Sequence, residues 1–397
     1  MRAHEPHEST VARARPHSSL ARRATWVPLV LVSLASCREP GPSDAMGGVP
    51  RETSASAPHG PASSDASAAA PTASASPASV CEAHIVFVSE RDENREIYAI
   101  CADGTQSTRL TRTPDADEFV AAVMPDRMSL VLVVSRGEPG TPTYTEELAR
   151  LSFADGAVRP LVPRGSRARS PSVFPDGSEL VFEAGALGFS NIALRGASGA
   201  VTRIEKAAAG SFEPAASPDG ARIAYVSSRE GNAEIFTMGK DGKDVRRLTW
   251  QRGEDTHPVW SPDGRALAFV SSRGGAPRLH TMGPAGETPR ALGAKDLGVL
   301  ADRDPRFSPD GARIAYSEDR GKTAGLRIVD ARTGALVVET HGAHRDESPE
   351  WSPDGQSLVF SSNRDGDVEL YRMRHDGTGV SRLTRSRGAD WLPRWVR

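Results

Sequence analysis

Ser261-Pro-Asp-Gly264, followed closely by the short apolar run Leu267-Ala-Phe-Val270, is the stretch that decides the fold. Proline presets φ at the second position of a tight turn, Asp suits the third and Gly accepts positive φ at the fourth. The same turn, or a near match, recurs at Pro125, Pro175, Pro218, Pro309 and Pro353. Successive prolines in this series are 50, 43, 44, 47 and 44 residues apart. A period of this length is typical of the blades of a β-propeller.

Each repeat contains the pattern of four short strands. The apolar run after the turn, as in Ile223-Ala-Tyr-Val226, is continuously apolar, which predicts a strand buried on both faces. A polar loop leads to Glu234-Ile-Phe-Thr-Met238 and then to Arg246-Arg-Leu-Thr249. The next strand ends in an aromatic, Trp260, just before the following turn. Four strands per unit make one propeller blade.

The two ends of the repeat region predict how the ring closes. The first unit has strands at Ile85-Val-Phe-Val88, Glu96-Ile-Tyr-Ala-Ile100 and Arg109-Leu-Thr111, but no innermost strand of its own. Residues from Asp390 to Trp395 match that missing strand. We therefore predict an all-β, seven-bladed propeller of four-stranded antiparallel blades over residues 82–397, closed by the C-terminal strand. Six or eight blades stay open as alternatives.

The repeat resembles the TolB-like, WD40-like propeller repeat. The similar residues are Ser227-Ser-Arg-Glu-Gly-Asn-Ala-Glu-Ile-Phe236, Arg246-Arg-Leu-Thr249 and His257-Pro-Val-Trp-Ser-Pro-Asp-Gly264. The resemblance covers nearly all of residues 82–397 and is most specific in blades four, five and seven. Blade two departs from it, with Arg127 in the place of Gly, and blade three lacks the Ser-x-Arg loop. The resemblance implies a binding role in the bacterial cell envelope, for a protein or a glycan.

The first 36 residues match an export signal. Arginines between positions 13 and 23 precede an apolar run from Trp26 to Leu34, as in a secretory signal. Leu34-Ala35-Ser36-Cys37 resembles the bacterial lipobox, in which the Cys receives a diacylglyceryl group. This resemblance implies that residues 1–36 are a lipoprotein signal peptide and that Cys37 is lipidated, anchoring the exported chain at the periplasmic or outer membrane. An ordinary cleaved signal followed by a free Cys37 stays open.

Residues 37–80 are rich in Ser, Ala, Pro and Gly and contain too little apolar surface to fold. We predict a disordered tether there. The chain has three cysteines, so if Cys37 is acylated, Cys81 and Cys101 remain as a candidate disulfide pair. The repeat alignment places them at the start of one strand and at the end of its antiparallel neighbour. Two unpaired thiols are the alternative.

Composition limits the classes of partner. With 49 basic and 51 acidic residues and a net charge of −2, the chain lacks the basic field that binds phosphate backbones, so we expect no nucleic-acid partner. No apolar run reaches the roughly eighteen residues that span a bilayer, so membrane contact is expected through the lipid only. We expect a monomer that uses no cofactor and no metal.

Charged residues recur at two fixed positions of the repeat, in loops expected on one face. An acidic residue recurs three places before a Pro, and an Arg recurs in the polar loop. The candidate binding face comprises Asp117, Asp255, Asp302, Asp346, Asp390, Arg91, Arg136, Arg229, Arg273, Arg320 and Arg364. The functional interpretation is a charged ring around the funnel that binds a peptide, a sugar or a cation. The structural interpretation, which repetition favours, is that each Arg pairs with a nearby Asp.

Signals for an enzyme are weak. The Gly-x-Ser-x-Gly motif of propeller-linked serine peptidases is absent, and so is a phosphate-binding loop in a strand-to-helix context. His341 and His344 have a spacing that suits chelation, and Asp365-Gly-Asp367 suits a calcium loop, but neither has a recognisable set of further ligands. We therefore predict no catalytic residues and a non-catalytic binding module. The alternative is a propeller lyase or hydrolase acting on polysaccharide.

Overall fold

The computed structural model describes residues 84–185, 190–205, 207–293 and 301–396. Within these ranges the chain forms seven antiparallel sheets of four strands each. The predicted all-β, seven-bladed propeller is therefore confirmed. Cys37, Cys81 and the predicted signal peptide and tether lie outside the described residues. In the part of the chain that the structure describes, no helix has the length and apolar character needed to cross a bilayer.

The strands follow the chain around the ring, and from blade two onward each blade begins with its innermost strand. Blade one contains β1 (His84–Ser89), β2 (Glu96–Cys101) and β3 (Thr108–Arg109). Blades two and three are β4 (Asp117–Val123), β5 (Ser129–Arg136), β6 (Thr145–Ser152), β7 (Val158–Pro160), β8 (Ala168–Val173), β9 (Leu180–Ala184), β10 (Asn191–Arg195) and β11 (Val201–Arg203). Blades four and five are β12 (Ser211–Ala216), β13 (Arg222–Ser227), β14 (Glu234–Gly239), β15 (Arg246–Arg247), β16 (Asp255–Trp260), β17 (Leu267–Ser271), β18 (Arg278–Met282) and β19 (Arg290–Ala291). Blades six and seven are β20 (Ala301–Phe307), β21 (Arg313–Asp319), β22 (Ala324–Asp330), β23 (Leu336–Glu339), β24 (Asp346–Trp351), β25 (Ser357–Ser362), β26 (Glu369–Arg374) and β27 (Ser381–Arg382), and the last strand is β28 (Asp390–Trp395).

The Ser-Pro-Asp-Gly turns connect innermost strands to second strands, and their side chains fix the turn. In blade five the Ser261 hydroxyl donates to Asp263 at 2.6 Å and accepts from the backbone N–H of Ala266 at 2.9 Å. Gly264 has a φ of 71°, a conformation that L side chains rarely adopt. A Cβ at this position would lie 3.3 Å from Pro218 Cγ of the preceding turn. These turns together form what we call the turn face of the propeller.

The second strand of each blade forms the core, as its unbroken apolar pattern predicts. Phe87, Tyr225, Phe269 and Phe360 all have no exposed surface because sheets cover both faces of the strand. Burying a side chain of this size stabilises the fold by roughly 1.5–3 kcal/mol. The apolar run after the turn is thus what holds neighbouring blades together.

The C-terminal strand closes the ring, as predicted. β28 pairs with β1, so that Ile85 lies opposite Trp395 and Ser89 opposite Asp390. β28 also packs against β4 and β24, the innermost strands of the two neighbouring blades. Innermost strands contact one another in this way around the whole circle. Blade one is therefore built from both ends of the repeat region.

The innermost strands share a local distortion. In six of them a residue that is not glycine has a φ between 48° and 55° directly before a Pro: Ser170, Glu213, His257, Asp304, Ser348 and Leu392. The register of the ladder shifts at the same place in each strand. Such a bulge bends the strand and changes where a side chain is directed. The bulge therefore lies at the same position of the innermost strand in these six blades.

Candidate funnel-face site

The predicted Arg and Asp residues lie on the face opposite the turns, which we call the funnel face. It consists of the loops between second and third strands and the connections that lead into the innermost strands. In blades one, five and seven the predicted residues meet as ion pairs, Arg91 with Asp390 at 2.8 Å, Arg273 with Asp255 at 2.9 Å and Arg364 with Asp346 at 2.8 Å. We call each such pair an Arg–acid latch. The structure thus brings six of the predicted residues together in pairs.

Neighbouring residues of the repeat hold each latch in place. In blade one the Arg91 Nε donates to Ser89 Oγ at 2.7 Å, and its guanidinium lies 4.2 Å from the centroid of the Tyr98 ring. Asp390 is completely buried, whereas about a fifth of the Arg91 side chain is exposed. Removing one member of a buried ion pair typically costs 3–5 kcal/mol, because the other charge remains buried without compensation. The latches therefore fix the funnel-face loops.

Blade four builds its latch from a different acid. Ser211 takes the place of the recurring Asp, and Arg229 pairs instead with Glu205 at 2.7 Å. Glu205 also accepts the Ser211 hydroxyl at 2.6 Å. The expectation that Arg229 pairs with a nearby Asp is thus replaced by a pairing with Glu. The short Ser211 side chain leaves room for a carboxylate from the connecting loop.

In blade two the ring position belongs to Glu118 and not to Asp117. The Glu118 N–H bonds to the residue before the third strand of the preceding blade, as the N–H groups of Asp255 and Asp390 do. Glu118 is completely buried. Burial is the main cause that raises its pKa, and the negative charge of the neighbouring Glu96 adds to the rise. Asp117 accepts the backbone N–H of Arg95 at 3.0 Å. The assignment of Asp117 was therefore one residue out of register.

The predicted Arg of blade two has its own partners. Arg136 lies 3.4 Å from Glu147 and 3.5 Å from Asp115. Asp115 is largely exposed, with 75% of its side chain accessible. These contacts are long and open to water, so they contribute less than the buried latches.

Blade six has no latch at the predicted position. Arg320 pairs with Glu318 at 2.5 Å and with Glu339 at 3.3 Å, and not with Asp302. Asp302 accepts the Leu279 N–H at 2.7 Å through Oδ2, while Oδ1 has no partner among the described residues. Burial raises the pKa of Asp302 to about 6. The recurring pair is therefore split in this blade because Glu318 takes the Arg.

A second set of buried charges was not predicted. Glu96, Glu234 and Glu369, each the first residue of a third strand, are completely buried. Each accepts a Thr hydroxyl and an Arg guanidinium from the Arg-Leu-Thr segment of its own blade. Burial acts to raise the pKa of Glu96, but hydrogen bonds from Thr111, Thr113 and Arg109 hold it below its ordinary value. The repetition of this Glu and of Arg-Leu-Thr in the sequence was the available signal.

The distorted innermost strands bring a histidine and a carboxylate together. The His257 Nε2 lies 3.3 Å from Glu213 Oε1, and the backbone N–H of His257 donates to Glu213 Oε2 at 2.6 Å. The Glu213 N–H in turn donates to Glu183 at 3.0 Å. Burial raises the pKa of Glu183. These contacts connect the second strand of blade three with the innermost strands of blades four and five.

The residues considered for metal binding have other contacts. His341 lies 3.7 Å from Glu339, and His344 lies 3.4 Å from Asp346. Asp365 accepts the Tyr371 hydroxyl at 2.5 Å. Across the described ranges, no three His, Cys, Asp or Glu side chains are grouped so as to hold a metal ion. The predicted disulfide of Cys101 stays a prediction, because its partner Cys81 is outside those ranges.

Comparison with solved structures finds other propellers. TolB of Acinetobacter baumannii is 22% identical, with a TM-score of 0.52 over 79% of this chain and 66% of that chain. Oligogalacturonate lyase of Vibrio parahaemolyticus is 14% identical, with a TM-score of 0.54 over 72% of this chain and 85% of that chain. A puromycin-hydrolyzing peptidase of Mycobacterium tuberculosis is 19% identical, with a TM-score of 0.55 over 77% and 52%. At these identities the likeness shows the fold alone.

Comparison with curated proteins and with family models identifies the family of the chain. An uncharacterized protein of Agrobacterium fabrum is 33% identical over 87 residues, which are 22% of this chain and 30% of that protein. An uncharacterized peptidase of Bacillus subtilis is 31% identical over 103 residues, 24% of this chain and 16% of that protein. The matches thus span less than a third of either relative. The model of the TolB beta propeller domain matches residues 188–300 and 300–397, more than half of the chain. The chain therefore belongs to the TolB beta propeller domain family.

Proposed function

We propose that the propeller is a non-catalytic binding module that takes an envelope protein or a glycan on its funnel face. Trp250 carries this proposal. Its side chain is 61% exposed, more than any other large apolar side chain in the described residues. It lies in the connection between β15 and β16, on the funnel face. Exposed Trp side chains are enriched among the residues that contribute most to binding.

The loop that carries Trp250 is held in place from both sides. The Asn232 side-chain amide donates to the carbonyl oxygens of Gln251, at 3.1 Å, and of Gly253. The Glu254 N–H donates to Ser272 Oγ at 2.7 Å. A loop already ordered before binding loses little entropy when a ligand arrives. The loop thus presents Trp250 on an ordered backbone.

The Arg–acid latches support the same proposal. They order the loops of blades one, four, five and seven with charged pairs that are mostly buried. The recurring charged residues therefore pair with one another and stabilise the funnel-face loops. Binding would then rest on residues that differ between blades, of which Trp250 is the most exposed apolar example.

The test compares Trp250→Ala with the wild-type protein. Both proteins are immobilised, envelope extracts are passed over them, and each captured partner is purified for calorimetric titration. Loss of a central Trp contact of about 2 kcal/mol or more weakens binding roughly thirtyfold. Val245→Ala is the matched control, because Val245 is an exposed apolar residue of blade four near the turn face. Equal affinity of wild type and Trp250→Ala would refute the proposal.

The second candidate function is an enzyme acting on polysaccharide. The His257 and Glu213 pair favours it, because a His beside a carboxylate is a common general base. One structural neighbour is an oligogalacturonate lyase. Incubation with oligogalacturonate, followed by absorbance of unsaturated products, tests this candidate. Turnover that disappears in His257→Ala would establish it, and no turnover by the wild-type protein would remove this substrate.

We also propose that the module is exported, anchored through a lipid on Cys37, and monomeric, with no other membrane contact. The lipobox-like segment ending at Cys37 supports the anchor. Mass spectrometry of the mature N-terminus tests it, with Cys37→Ala as the control. Absence of an acyl mass on the native protein would contradict the proposal.

A further inference from the structure

Blade six differs from its neighbours where the second strand pairs with the third. In blades one, four and seven a Ser lies opposite the buried Glu, as Ser227 lies opposite Glu234. In blade six Glu318 lies opposite Gly325. The carboxylate has therefore moved from the third strand to the second. Two positions further along the ladder, where blades one, four and seven have two aromatics, Tyr316 lies opposite Arg327.

These exchanges build a buried charge cluster within blade six. Arg327 lies 2.8 Å from Glu318 and 2.9 Å from Glu339. Only 5% of the Arg327 side chain and 4% of the Glu318 side chain are exposed. Arg320 contacts the same two carboxylates. The cluster therefore holds two cations against two anions.

A cavity of 230 Å³ adjoins this cluster. We call it the blade-six cavity, and Glu318, Arg320, Arg327, Glu339, Thr340 and His341 line it. Its volume is that of roughly eight water molecules at about 30 Å³ each. This is below the roughly 300–1,000 Å³ of pockets for drug-sized ligands. The cavity thus has room for one small ring.

The lining has hydrogen-bonding capacity left over. Thr340 accepts the Leu326 N–H, as Thr111, Thr249 and Thr384 accept the corresponding N–H groups. In those three blades the Thr hydroxyl also donates to the buried Glu. Blade six has Gly325 there, so the Thr340 hydroxyl lacks this acceptor. Among the described residues, Glu339 contacts Arg320, Arg327 and His341 through Oε1, so its Oε2 offers an acceptor.

We propose that the blade-six cavity binds one ring of a neutral saccharide. A sugar hydroxyl both donates and accepts, so it matches Glu339 and Thr340 at once. A charged ligand fits less well, because the cations and anions of the cluster already neutralise each other and an added buried charge has no partner. The inference rests on the proposed binding function and assigns a glycan as the ligand.

The experiment measures binding of glucose, galactose and N-acetylglucosamine by saturation-transfer NMR and calorimetry, with galacturonate and glucosamine as charged comparators. We expect at least one neutral sugar to bind in preference to both charged sugars. Glu339→Gln is expected to weaken binding about tenfold, and Thr340→Val about fivefold, from the loss of one hydrogen bond each. Thr249→Val is the matched control, since it removes the same hydroxyl from a blade without Gly at the paired position.

Three outcomes would overturn the inference: no neutral sugar binds, a charged sugar binds better, or Thr249→Val weakens binding as much as Thr340→Val. Thermal melts of each variant separate loss of binding from loss of folding. The Trp250→Ala capture experiment is independent of the cavity. If capture depends on Trp250 while no sugar binds, the cavity inference fails and the proposed function stands; if sugars bind while capture does not depend on Trp250, the reverse holds.

Discussion

Asp302 and Asp390 occupy the same position in their blades but have different surroundings. Asp390 accepts hydrogen bonds from Ser89, Arg91 and Ser386. Asp302 accepts the Leu279 N–H, and Glu318 lies opposite it in the ladder. Burial raises the pKa of Asp302 to about 6, and the Glu318 charge adds to the rise, whereas the Leu279 N–H, Arg278 and Arg327 lower it by less. One residue type thus has two protonation behaviours in a single ring.

This difference predicts a pH dependence of stability. Because the folded-state pKa of Asp302 is above its ordinary value of 3.8, folding retains a proton that the unfolded chain releases. The stabilisation is present below pH 4 and is lost as pH rises through about 6. Asp302→Asn keeps the acceptor for Leu279 but cannot ionise. We expect the variant to gain on the order of 2 kcal/mol relative to wild type between pH 4 and pH 7.

Urea midpoints of the two proteins across that range measure the gain. Other buried carboxyls, such as Glu118, titrate in both proteins, so the difference between them isolates Asp302. A difference that does not change with pH would show that the pKa of Asp302 is the same in the folded and the unfolded protein.

The candidate site was predictable at this scale only where the repeat is regular. Asp255 and Arg273 follow the repeat spacing, and they do form a pair. Glu205 comes from a connecting loop, and its position relative to Arg229 depends on the path of that loop, which spacing does not define. In blade six, Glu318 takes the place of the Ser on the second strand, and Gly325 takes the place of the Glu on the third. This exchange involves two paired strands, so it can be recognised only once their register is known.

Among the structural elements, the turn is the most predictable. Its chemistry is local, since Pro, Asp and Gly each act within four residues. Ser217, Ser261, Ser308 and Ser352 each donate to the Asp two residues later, at 2.5–2.6 Å. The innermost strands were predicted in position but not in shape. Their bulge needs a left-handed residue before Pro. Residues as different as Ser170, Glu213 and Leu392 adopt it because the paired residues before and after the bulge hold the backbone.

The turn therefore predicts a sharp contrast between two glycines of blade five. Gly264→Ala forces a side chain into a φ of 71° and toward Pro218, and is expected to cost about 1–2 kcal/mol. Gly274→Ala is the control, since Gly274 lacks a positive φ and has open space where a Cβ would lie. Thermal midpoints compare them. A midpoint for Gly264→Ala equal to that of Gly274→Ala would contradict the assigned role of the turn.

At the scale of the whole molecule, closure of the ring follows from two sequence features that lie far apart. The first unit lacks an innermost strand, and the segment from Asp390 supplies one. This was predictable because a strand pattern without a blade of its own must pair elsewhere or leave an edge exposed. The arrangement of charges on the funnel face was less predictable, since it depends on which side chains neighbouring blades bring together.

Removing the closing strand is expected to destroy cooperative folding. A chain that ends after Ala389 lacks β28. The edge of β1 is then exposed, and so is the apolar surface that Trp395 and Val396 cover in the full chain. We expect a broad thermal transition, measured by circular dichroism, and self-association, measured by size-exclusion chromatography. Trp250→Ala should keep the wild-type midpoint, because its ring is mostly exposed. A truncated chain that melts at the wild-type temperature as a monomer would contradict closure by β28.

The contact between Ser89 and Asp390 joins residues 301 positions apart. During synthesis the first blade therefore emerges incomplete and waits for the final segment before its sheet can be finished. Contacts between such distant residues form slowly, because a long loop must close first. A nascent chain of this design stays without its finished ring until β28 has been synthesised. Under the export proposed above, that delay would keep the polypeptide unfolded while it passes through a narrow translocation pore.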